Sequence, residues 1–103
     1  LAVPAHADAP LMAPTIHDQM AWMHTNEGIE AYNAGHYADA EWHFREALIS
    51  SPDLAESHYN LALALHKLNR HKEAAEEFRT AVRMDPANKA IADSKLLQKH
   101  LLM

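Results

Sequence analysis

Between Leu61 and Val82 the apolar residues recur at the spacing of an α-helix. Leu61, Leu65 and Leu68 mark one stripe, and Ala74, Phe78, Ala81 and Val82 mark a second after a polar break at Asn69-Arg70. Two amphipathic helices joined by a short turn are therefore predicted, and they form a hairpin. Asn69 tolerates the left-handed conformation that ends a first helix, and Gly35 has the same aptitude earlier in the chain. Pro52 and Pro86 fall beyond or at the ends of the second helices, where helix cannot continue. Small Ala beside large Phe lets the ridge of one helix enter the groove of its neighbour.

The pattern is written twice. At an offset of 34 residues Ala40 falls on Ala74, Phe44 on Phe78, Ala47 on Ala81 and Pro52 on Pro86. Leu48 then meets Val82, Asn26 meets Asn60 and Ile29 meets Leu63. So many matched positions at one offset mark an internal repeat, with units at 21–54 and 55–88.

The period, the A-x3-F core and the closing Pro resemble the tetratricopeptide repeat family. The resemblance implies an all-α fold, a right-handed α-solenoid of stacked antiparallel helix hairpins with about five helices. It also implies a terminal solvating helix covering the last hairpin, expected over 89–101. The two units differ from the family pattern in places. His24 and His58 stand where a large apolar residue is usual, and Glu27 occupies the position of Leu61. Gly28 keeps the family's glycine, whereas the second unit carries Ala62.

Outside the repeats, Thr15 with Asp18 three residues later reads as an N-cap, which starts the first helix near Ile16 and runs it to about Ala34. In the segment after Asn88, Ala90, Leu97 and Leu101 are expected on one stripe. Two repeats are fewer than the three or so that stabilise a solenoid, so these flanks, or another subunit, must cover exposed surface. The single domain is assigned to 15–103. Residues 1–14 read as a leader with little fixed structure, because Pro4, Pro10 and Pro14 each oppose helix in the residue before them. The triplets Ala5-His6-Ala7 and Ala7-Asp8-Ala9 have the small-x-small form of an export cleavage site. Periplasmic or otherwise exported localisation is therefore expected, with the cytoplasm as the alternative.

Composition narrows the function. The 103 residues suffice for one domain, and only 2 Gly and 5 Pro argue against a many-stranded sheet. The absence of Cys removes disulfides, thiolate metal sites and cysteine nucleophiles. A formal charge of -5 has the wrong sign for binding phosphates, so nucleic acid is not an expected partner. No apolar run approaches the roughly 18 residues of a membrane span. Protonation of all 9 histidines would reverse the sign of the charge, so partner choice should respond to mild acid.

No enzymatic site is expected. Ser50, Ser51, Ser57 and Ser94 fall at helix ends or expected outer faces, without a glycine-rich elbow, and read as caps and solvated hydroxyls. Chelation on one helix needs ligands at i and i+3 or i+4, a spacing no two histidines have. The nearest approximations are Asp39 with His43, and His17 with His24 around Met20. Neither a cofactor nor a metal is expected from these positions, although ligands on different helices could converge. The five methionines read as core gap-fillers or tail residues. The charges of Glu41–Glu46 and Lys72–Arg79, with Lys72 and Glu76 one turn apart, read as a solvated face.

In the family the first helices of successive hairpins line a concave groove that receives an extended or helical peptide. The resemblance places Trp22, Thr25, Asn26, Ile29, Tyr32 and Asn33 there from the first unit, with Tyr59, Asn60, Leu63, His66 and Lys67 from the second. Stacked Asn amides can donate to and accept from a partner's backbone. The terminal-carboxylate clamp of the family is not expected, because Lys67 stands almost alone. The expected function is a protein–protein interaction adaptor or scaffold that holds a partner peptide or helix in this groove. The alternatives are a histidine-rich metal carrier or sensor of the cell envelope, and a self-assembling scaffold.

Overall fold

The computed structural model describes residues 8–12 and 18–102. Among these residues all regular structure is helical, in six helices. They are α1 (Gln19–Asn33), α2 (Tyr37–Ser50), α3 (Ala55–Lys67), α4 (His71–Met84), α5 (Lys89–Ala92) and α6 (Lys95–Leu101). Helices α1 and α2 pair as one hairpin, α3 and α4 as the next, α2 packs on α3, and α6 closes the stack against α4.

The two hairpin turns are built alike. Gly35 has φ 82° and Asn69 φ 63°. At each, the next residue's amide reaches back five residues, His36 N–H to Ala31 at 2.8 Å and Arg70 N–H to Leu65 at 2.9 Å. Gly35 and Asn69 themselves donate to Tyr32 and His66. This double bond satisfies carbonyls that the helix end leaves open and turns the chain into the next helix. The second helices stop just before Pro52 and Pro86, as expected.

The matched residues of the repeat form the core. Ala40, Phe44 and Ala47 are fully buried, and so are Ala74, Phe78 and Ala81. Around them lie Tyr59, Leu61, Leu63, Leu65, Ile91 and Leu97. Gly28 lets the Phe44 ring approach α1 closely, since a Cβ on Gly28 would meet Phe44 Cε1 at 2.5 Å. Glu27, on the position of Leu61, is half exposed, whereas Leu61 is buried. The second unit therefore carries the fuller core.

Several expectations are corrected. α1 begins at Gln19 with Asp18 as its N-cap, not near Ile16; Thr15, Ile16 and His17 lie outside the described residues. The Asp18 carboxylate accepts from the amides of Met20 and Ala21, and also from the hydroxyls of Ser50 and Ser51 at the end of α2. These bonds hold its pKa down to about 2. The terminal helix is two helices, because Ser94 interrupts it and caps α6 with its hydroxyl on the Leu97 amide. The break shifts the phase: Ile91, Leu97 and His100 are buried, while Ala90 is exposed.

Ser57 is also buried, not on an outer face, and its hydroxyl has no partner among the described residues. Met20, Met23 and Met84 are exposed on helices, so they are neither core fillers nor tail residues. The charged face is solvated, with Lys72, Glu73, Glu76 and Arg79 exposed, and on it Arg70 bonds both Glu41 and Glu73 while Arg45 bonds Glu41. Among the described residues no helix is long and apolar enough to cross a membrane.

Candidate functional site

The first helices of the two hairpins, α1 and α3, carry the residues expected to line the groove. They fall into three groups. Trp22, Asn33 and Lys67 are exposed, and the Lys67 ammonium lies 5.7 Å from the centre of the Tyr37 ring. Asn26, Ile29, Tyr32 and His66 are partly buried. Thr25, Tyr59, Asn60 and Leu63 are fully buried, and the Thr25 hydroxyl is taken up by the Ala21 carbonyl at 2.7 Å. Leu63 and Tyr59 belong to the core cluster, and Tyr59 leans on Phe78 with ring centres 5.7 Å apart.

Asn60 is buried for a different reason. Its side-chain oxygen accepts from the backbone N–H of Leu11 at 2.7 Å, and its amide nitrogen donates to the backbone carbonyl of Leu11 at 2.8 Å. Both halves of one carboxamide thus engage both polar groups of one residue, the pairing a strand would offer. Among the described residues this clasp is made by Asn60 and not by Asn26. The Leu11 side chain packs against the core cluster, as do Ile29 and Tyr32.

The segment is anchored at a second point. Asp8 accepts from the Ser94 hydroxyl at 2.5 Å and from the Leu96 amide at 3.3 Å, at the start of α6. Its negative charge reaches both tyrosines of this face. Burial pushes the Tyr32 hydroxyl up to about 12 with Tyr37, Tyr59 and Asp8 adding to the effect, and burial raises Tyr59 as well. Residues 8–12 adopt neither helix nor strand, yet this part of the stretch expected to have little fixed structure is held at both ends. Pro10 between the two anchors favours an extended backbone.

The sequence marks Asn60 as a group able to pair with main chain and gives no sign that Leu11 is what it pairs with. Asp8 and Leu11 were grouped with a proline-rich leader, and Ser94 with the capping hydroxyls. The readable signal was an acidic residue and an aliphatic residue three positions apart in a stretch that prolines keep out of helix.

The histidines converge between helices and not along them. His24 Nδ1 on α1 lies 3.1 Å from His43 Nδ1 on α2, with Glu27 Oε2 3.3 Å from the latter. At the equivalent place in the second unit, His58 Nδ1 meets Glu77 Oε1 at 2.7 Å, and its Nε2 donates to the Pro52 carbonyl at 3.1 Å. Hydrogen bonding to Glu77 raises the His58 pKa against the effect of burial. A third group, His66, His71 and His100, gathers at the ends of α3 and α6 and the start of α4. Asp39, proposed beside His43, is exposed, and the convergence is instead His43 with His24 and Glu27.

A profile of the tetratricopeptide repeat family covers residues 25–89, more than half of the chain. No curated protein matches the chain. The two helix hairpins, their shared Ala-Phe-Ala core and this match together make the chain a member of the tetratricopeptide repeat family.

Proposed function

We propose that the protein is a non-enzymatic interaction module whose α1/α3 face captures an extended segment of a protein partner, and that residues 8–12 occupy the same place in the absence of that partner. The family to which the chain belongs generally mediates protein–protein interaction. The observation that carries the reading is the two-point bond between the Asn60 carboxamide and the Leu11 backbone. A carboxamide paired with a main chain recognises extended backbone and tolerates many side chains.

Selectivity comes from the flanking anchors. An acidic side chain fits the Ser94 hydroxyl and Leu96 amide, and an aliphatic side chain three residues later fits the position of Leu11. The partner is therefore a segment of the form acidic-x-x-aliphatic in extended conformation. Each of the two amide bonds contributes about 1 kcal/mol net, so the intrinsic affinity is modest. The internal segment belongs to the same chain as the groove, so it competes at an effective concentration on the order of millimolar.

The test uses a fluorescent peptide spanning residues 8–12 with its flanks, added to the full chain. Asp8→Asn with Leu11→Ala weakens the internal segment, and the variant should bind the peptide about tenfold more tightly than the unaltered chain. Adding Asn60→Ala to that variant should remove the gain. Equal binding by all three proteins, or none by the released variant, would reject the groove.

A further inference from the structure

We propose that His66, His71 and His100 form a binding site for a divalent transition-metal ion of the zinc class, held by three imidazole nitrogens with a fourth position left to water or an exogenous ligand. The three residues come from three elements: the last turn of α3, the first position of α4 and the last turn of α6. One ring nitrogen of each lies within 4.8 Å of the others. His66 Nδ1 is 3.1 Å from His100 Nε2, and His71 Nδ1 is 3.4 Å from the same atom. Zinc–imidazole bonds of about 2.0–2.1 Å set at tetrahedral angles put neighbouring nitrogens roughly 3.3 Å apart. The two nitrogens facing His100 Nε2 already stand near that separation from it, and the His66 and His71 ring nitrogens lie within 4.8 Å of each other.

The protonation pattern favours a ligand role. His100 Nδ1 lies 2.9 Å from the Leu96 carbonyl, which can only accept, so Nδ1 carries the proton and Nε2 presents its lone pair to the other two rings. A carbonyl behind the remote nitrogen is the usual support of a metal-bound histidine. One lone pair on His100 cannot fully satisfy two facing nitrogens, and a cation resolves that mismatch. Coordination takes each ring in its neutral form, so binding should weaken as the pH falls.

The scaffold holds the ligands still. The Asn69 turn fixes His66 and His71 relative to each other. His100 is 2% exposed and its ring centre lies 5.1 Å from that of Phe78 in the core. An all-imidazole set suits Zn2+, Cu2+ or Ni2+ and discriminates against Mg2+ and Ca2+, which prefer oxygen. A bound ion would join α6 to the α3–α4 hairpin, and so would stabilise the end of the stack. None of its ligands bonds residues 8–12, although His66 also belongs to the set expected to line the groove.

The experiment titrates the chelator-treated full chain with zinc sulfate at neutral pH, following heat and thermal midpoint, with magnesium as the control. One Zn2+ per chain, a rise of the midpoint with Zn2+ alone, and intense visible absorption from four-coordinate Co2+ are expected. Because His100 packs in the core, the variants are His66→Gln and His71→Gln, both at partly exposed positions. Each should weaken Zn2+ binding by at least about tenfold while keeping the helicity of the unaltered chain. His24→Gln with His43→Gln should leave binding unchanged. Absence of stoichiometric Zn2+ binding overturns the proposal, as does binding that survives His66→Gln and His71→Gln or disappears with the His24 and His43 pair.

Discussion

The ring of Phe44 lies directly over Gly28, so close that a β-carbon at that glycine would stand 2.5 Å from Cε1 and 2.7 Å from Cδ1 of the ring. Phe44 is fully buried and cannot swing away into solvent. In a free helix Gly→Ala gains up to about 1 kcal/mol of helix propensity. Here overpacking costs about 1–3 kcal/mol and wins. Gly28→Ala should therefore lower the stability measured by urea unfolding by up to about 2 kcal/mol, and an increase would show that the helices separate freely at this point.

Gly35 presents the opposite case. A Cβ there meets nothing within 4 Å, yet its φ of 82° lies in the left-handed region. Gly35→Ala should cost about 1 kcal/mol from backbone strain alone. Asn69→Gly, at φ 63°, relieves strain and should be neutral or slightly stabilising by the same measurement.

Asp18 links the start of α1 to the end of α2, and its pKa falls from 3.8 to about 2 through its bonds to Ser50, Ser51 and two amides. The folded value lies below the unfolded one, so the stabilisation is complete above about pH 4 and is lost as pH falls toward 2. The thermal midpoint of the unaltered chain should fall over that window more steeply than that of Asp18→Asn. Parallel curves would remove Asp18 from the account of acid unfolding.

His58 titrates in the other sense. Its hydrogen bond to Glu77 raises the folded pKa above 6.5. Its contribution is therefore fully present below the unfolded pKa and disappears as pH rises through the folded one. His58→Gln should lower the thermal midpoint more at pH 5.5 than at pH 8.5. Glu77→Gln should erase that difference, and a pH-independent effect of His58→Gln would sink the assignment.

Helix content, hairpin pairing and the buried Ala-Phe-Ala sets were legible along the chain, because a 3.6-residue period and a 34-residue period both report local burial that each helix needs. Gly35 and Asn69 were equally readable, since few residues tolerate positive φ. The terminal segment was harder: Ser94 competes for the local amide of Leu97, and that bond divides one helix into two. The start of α1 was misread by three residues because Asp18 has two further partners, Ser50 and Ser51, more than thirty positions away.

The order of amino acids alone settled the repeat and the type of every long element, for these depend on neighbours within a few turns of the same helix. It also singled out Asn60 as a group able to pair with main chain. Tertiary packing decided which main chain that is, bringing Leu11 across 49 positions, and it assembled His66, His71 and His100 from three elements with no shared spacing. Contacts of that kind depend on how rigid helices stack, and periodicity along a chain records which face is buried without recording what lies opposite it.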